Sequence, residues 1–89
     1  MIPEWLKKAQ QKRDEKTILS CLKRGKEEEQ YFENELITWG EQKHNTDLPF
    51  ILDTLIIAQE QGLLKHKEAP NIISNLKQEI EHRYKQALI

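Results

Sequence analysis

The chain has 89 residues, a third of them charged, and a net charge of −1. That bounds it to one small domain, residues 1–89, with a thin core, and removes any global attraction to nucleic acid. The single cysteine, Cys21, excludes an internal disulfide, and no apolar run approaches the roughly 18 residues of a membrane span or forms a signal-peptide core, so a soluble, cytoplasmic protein is expected.

Charge is unevenly spread. Residues 1–26 hold eight Lys/Arg against three Asp/Glu, residues 27–60 one against nine, and residues 61–89 five against three. A basic head beside an acidic middle either steers a partner or packs its opposite signs together within the fold; the second reading is preferred. Gln, Glu, Lys, Leu and Ile dominate and valine is absent. No strand-like alternation persists, so the chain reads as helix throughout.

Pro3 opens a short N-terminal helix with Trp5, Leu6 and Ala9 on one side. The following "QQKRDEKT" carries no apolar residue, which places a break near residues 13–15 with Asp14 as the next N-cap. Ile18, Leu22, Gly25, Glu29, Phe32, Leu36 and Trp39 then step by alternating fours and threes, a heptad seam with two weak members, Gly25 and Glu29. Either one helix spans 15–39 or it stops at Gly25 and restarts. A reversal there would leave only Gly25 and Lys26 as a loop, so the single helix, ended by Gly40, is the expectation. On that reading Gly25→Ala stabilises the chain. Trp5 and Trp39 are read as core or core-edge residues, Tyr31 and Ile37 as candidates for a partner rim, and Glu27, Glu28 and Glu29 as a solvated face.

After the loop "EQKHNTD", Thr46 or Asp47 caps a helix over 47–61 with Pro49 in its first turn. Gln61, Gly62 and Leu63 have the form of a Schellman stop. Pro70 opens a last helix over 70–88, striped by Ile72, Ile73, Leu76, Ile80, Tyr84, Ala87 and Leu88. The expected fold is all-α: a small antiparallel bundle of three main helices with a short N-terminal helix.

Helix 47–61 is apolar on two sides. Leu48, Ile51, Leu52, Leu55 and Gln59, widened by Ile56, form one stripe; Phe50 and Ile57, with Thr54 at the edge, fall nearly opposite. A three-helix core covers only one of these. The other is covered by the N-terminal segment, with Trp5 and Leu6 folding over, or by a partner or second subunit. Phe50, Ile57, Thr54, Trp5 and Leu6 are therefore the candidate contact residues, and a two-fold homodimer is the simplest form.

Motifs for chemistry are scarce. The three glycines are isolated at 25, 40 and 62, which excludes a phosphate-cradling loop, and Ser20 and Ser74 lie in helical stretches with no nucleophile motif. Glu-x-x-His occurs as Glu41/His44 and Glu79/His82, the spacing of di-iron bundle ligands. His82 points away from the Leu76, Ile80 and Tyr84 stripe, however, and Glu41 and His44 lie beyond Gly40. No enzyme activity, metal or cofactor is expected. A helix-turn-helix reading of 48–61 and 70–88 fails on its eight-residue connection, against a usual turn of about three or four. The expected function is a non-enzymatic helical interaction module (a small adaptor, inhibitor or assembly factor) presenting an apolar helix face. The alternative is a small nucleic-acid-associated regulator whose Lys7, Lys8, Lys12 and Arg13 touch phosphates.

Overall fold

The computed structural model describes residues 2–42 and 47–87. Every regular element among them is helical: a 3-10 turn, Glu4–Leu6, then α1 Lys7–Lys12, α2 Glu15–Glu28, α3 Phe32–Glu41, α4 Leu48–Glu60 and α5 Ala69–Ala87. The all-α class is as expected. The division into three main helices is not, because the stretch 15–39 is two helices.

The first break falls where the sequence loses its apolar residues. Arg13 closes α1 in the left-handed conformation, φ 59°, its amide donating to the Ala9 carbonyl at 2.7 Å. A non-glycine residue there costs about 1–2 kcal/mol, and its side chain is tied on three sides. Nε donates to the Gln10 carbonyl at 3.2 Å. The guanidinium grips both oxygens of Asp47 and lies over the Phe50 ring, 5.6 Å from its centroid. Asp14 then caps α2: its backbone is extended and its carboxylate accepts from the Thr17 amide at 2.6 Å. That bond to Thr17, helped by nearby Lys12 and Lys16, holds the Asp14 carboxyl below the ordinary 3.8.

The second break is at residues 29–31, four residues beyond Gly25. Six of the seven seam residues are buried; Glu29, the one carboxylate, is exposed and extended. An unpaired carboxylate has no place on a buried stripe, so the helix ends there and restarts at Phe32. Tyr31 points to solvent, 61% exposed, while Ile37 is core rather than rim.

Gly25 is helical, and what it provides is closeness. A Cβ built on it would lie 2.7–2.9 Å from three atoms of the Trp5 ring. The indole sits directly on the helix backbone, stacks obliquely on Phe32 at 5.0 Å between centroids, and donates Nε1–H to Glu35 at 3.1 Å. Gly40 is also inside a helix, one residue short of its end, where a Cβ would stand 3.0 Å from both Ile72 and Leu55. Of the three glycines, Gly62 alone has positive φ, 72°. Around it Leu63 N–H reaches the Ala58 carbonyl at 2.9 Å and Gly62 N–H the Gln59 carbonyl at 3.1 Å, the two bonds of the Schellman stop read from the sequence.

The N-terminal segment packs on α2, α2 on α4, and α4 against α3 and α5. Helix α4 is therefore central, with Leu48, Phe50, Ile51, Thr54, Leu55 and Ala58 buried. The α4–α5 connection is pinned by Glu33 of α3, whose carboxylate accepts from the amides of Lys65 and His66. The stripe of α5 is buried only as far as Leu76, then half-buried at Ile80, and Tyr84 and Ala87 stand in solvent. Of the sequence expectations, the Thr46 cap and Leu88 lie outside the described residues.

Two outcomes follow. Gly25→Ala gains about 1 kcal/mol of helix propensity but forces a methyl into the Trp5 ring, an overpacking cost of roughly 1–3 kcal/mol. The variant is expected to be less stable in urea and thermal unfolding, reversing the sign that a continuous open helix implies. Asp14→Ala removes a cap whose folded-state pKa is depressed, so the Asp14 contribution is present above the unfolded value and lost as pH falls through the folded one. The melting temperature gap between wild type and Asp14→Ala should be constant from pH 5 to 7 and close below about 3.8.

Candidate functional site

The face of α4 expected at a contact lies in the interior of its own chain. Phe50 is 4% exposed and Thr54 is fully buried. Phe50 meets Trp39 edge-on at 5.8 Å between centroids and carries the Arg13 guanidinium on its ring. The Thr54 hydroxyl donates to the Phe50 carbonyl at 2.8 Å, so its burial leaves nothing unsatisfied. Trp5 and Leu6 are equally buried, Trp5 against Gly25 of α2 and against Phe32 and Glu35 of α3. Only Ile57 remains half-open, in a shallow recess with Arg13, Glu15, Ile18, Asp53 and Ile56. The cover sought for the second face is thus Arg13, the start of α2 and Trp39. As partner-contact residues, Phe50, Thr54, Trp5 and Leu6 are corrected to core: each is already enclosed by intramolecular neighbours.

The four basic residues of the alternative reading separate. Lys7 pairs with Glu4 at 2.7 Å, and Arg13, though exposed, is committed to Asp47 and Phe50. Lys8 and Lys12 face outward and line a groove with Lys16, Thr17, Ser20, Cys21 and Arg24 of α2. The spacing of Lys16, Ser20 and Arg24 by fours marks one helical face in the sequence already, once the α1–α2 break is accepted.

Among the described residues no group of three His, Cys, Asp or Glu is placed to hold a metal, and no helix is long and apolar enough to cross a membrane. Glu79 pairs with Arg83 at 3.1 Å, not with His82; His44 lies outside the described residues. His66 takes the Glu68 amide on Nδ1 at 3.1 Å, a local loop bond.

What remains open and apolar is the far half of α5. From Lys77 to Ala87 every described side chain is exposed except Ile80. Ile80, Tyr84 and Ala87 share one narrow side at about 100° per residue, and Tyr84 is 66% exposed. The stripe continues the buried Ile73 and Leu76 past the end of the body. Lys77 and Glu81 flank it on one side, Glu79 and Arg83 on the other. A recess of about 360 Å³ floored by Leu48, Ile72 and Leu76 runs beside it, with Glu79 and Arg83 on its rim. The sequence shows this stripe plainly but not where its cover ends, which depends on the length of α3 and α4.

The chain is defined by its fold as a small all-α protein. No protein-family model, curated protein or solved structure matches it.

The burial contrast along α4 is directly measurable. Phe50→Glu loses at least the about 3–5 kcal/mol of a buried Phe→Ala change and buries a charge, a large share of the 5–15 kcal/mol typical of a domain. It should leave the chain unfolded by circular dichroism. Ile57→Glu, at the half-open recess, should fold with a lowered melting temperature.

Proposed function

We propose that this protein is a non-enzymatic helical interaction module, a small adaptor, inhibitor or assembly factor, whose docking element is the second half of α5. The observation that carries this reading is the stripe of Ile80, Tyr84 and Ala87, continuous with the core yet uncovered. Burying an aromatic and a branched aliphatic side chain yields about 1.5–3 kcal/mol each when complete, so such a stripe favours association.

The occupant best matched to it is a second copy of the same helix. In an antiparallel pair related by a two-fold axis near Glu81, within the overhang, each flank meets the same flank of the other copy. Glu79 of one copy then faces Arg83 of the other. That flank is self-complementary in charge, which fits this orientation. The overhang of residues 77–87 spans only about 16 Å. The interface is therefore well under the roughly 1,600 Å² of a standard one, and association is weak and reversible.

Sedimentation and light scattering from low to high concentration test this. Wild type should shift from monomer to dimer. Tyr84→Glu should stay monomeric with an unchanged melting temperature at low concentration, because Tyr84 supports little of the fold. Glu79→Arg should weaken the dimer, and Glu79→Arg with Arg83→Glu should restore it. A wild type that is monomeric throughout overturns self-association, and a Tyr84→Glu chain that still dimerises removes α5 as the contact.

A further inference from the structure

The groove between α1 and α2 concentrates positive charge independently of α5. Lys8 and Lys12 form one wall, spaced by four residues on α1. Lys16 and Arg24 stand on the other, with the Ser20 hydroxyl between them, and Thr17 and Cys21 complete the lining. The space enclosed is about 290 Å³. Successive members of each row are about 6 Å apart along their helix axes. Among the described residues none of these four cations is in an ion pair, whereas Lys7, Arg13, Lys26 and Arg83 each have a carboxylate partner. Asp14 lies near Lys12 and Lys16 and offsets part of their charge, while its carboxylate also accepts from the Thr17 amide.

Four like charges around one small groove repel one another, and a bound polyanion lowers that repulsion. Lysine and arginine donors beside a serine hydroxyl match phosphate oxygens. Two rows rather than a single point suit a ligand carrying several closely spaced phosphates. No exposed aromatic lines the groove, so nothing there stacks on a base.

We infer that the α1–α2 groove is a binding site for closely spaced phosphate groups, held by Lys8, Lys12, Lys16 and Arg24 with Ser20 as a neutral donor. Two sources supply that chemistry: a compact polyphosphate, or the backbone of a nucleic acid bound without sequence preference.

The probes are inorganic tripolyphosphate and a 20-base-pair DNA duplex of arbitrary sequence, titrated into the full chain and followed by amide NMR and calorimetry. Binding should move the amides of Lys16, Ser20 and Arg24 and weaken as salt rises. Lys12→Gln/Lys16→Gln/Arg24→Gln should lose roughly tenfold or more in affinity, with the fold intact because all three side chains are exposed. Lys23→Gln/Lys65→Gln/Lys67→Gln, an equal change in net charge at exposed positions outside the groove lining, should bind as wild type. Tripolyphosphate binding identifies the compact ligand; duplex binding without it identifies the backbone. Failure of both probes at low salt overturns the inference, as does an equal loss in the two triple variants, which would reduce the effect to net charge. Neither result bears on α5, whose variants are read by association state.

Discussion

The apolar surface of α4 is the constraint around which the rest is arranged. This helix offers hydrophobic side chains nearly all round, and a chain of 89 residues has little with which to cover them. Helices α3 and α5 take one side. The other is closed by α2, by Trp39 and by one long cationic side chain, Arg13, whose guanidinium lies on the Phe50 ring while its nitrogens hold Asp47 at the entrance to α4. Arginine suits this place because its planar, weakly hydrated head tolerates an aromatic face and a carboxylate together. The left-handed backbone of Arg13 is the accompanying distortion, and it lets α1 turn away so that α2 can lie against α4.

That arrangement also accounts for the break at residues 29–31. A single helix over 15–39 would carry Glu29 along the buried seam and hold Phe32 in line with Gly25. Interrupting it places Glu29 in solvent and brings Phe32 beside the Trp5 ring. The indole is seated on the bare backbone of Gly25, so the N-terminal segment approaches more closely than any side chain there would permit. Opposite charges meet along the way: the basic head joins the acidic middle through Arg13 to Asp47 and Lys26 to Glu33. The pairs are partly exposed and contribute little stability each; their effect is on which segments lie together.

Spending the N-terminal segment and α2 on α4 has functional consequences at both ends of the chain. The cations of α1 and α2 that face away from the core are left clustered about one groove, with no ion pair to any of them among the described residues. At the other end, α5 outruns the helices that cover it, and its stripe continues into water. The two surfaces differ in kind, one electrostatic and salt-sensitive, the other apolar with self-complementary charge. They therefore suit different partners.

Local features were legible in the sequence because they depend on neighbours a few residues apart. The Asp14 cap, the break before it, the Schellman turn at Gly62 and the apolar stripes all follow from backbone hydrogen bonding and helical periodicity. The two-faced character of helix 47–61 was equally plain. What covers the second face was not, since Phe50 meets Arg13 and Trp39 across 37 and 11 residues of chain, and no pattern in the sequence encodes that approach. Gly25 shows the same limit: its periodicity gives the helix, but only the Trp5 ring above it gives the reason for a glycine. Candidate surfaces follow this division. Residues chosen for hydrophobicity, Phe50, Thr54, Trp5 and Leu6, proved to be core, whereas Tyr84, indistinguishable from them by stripe position, is exposed. Periodicity tells which side of a helix is apolar; whether that side is covered depends on the length and placement of other helices, which only the tertiary structure decides.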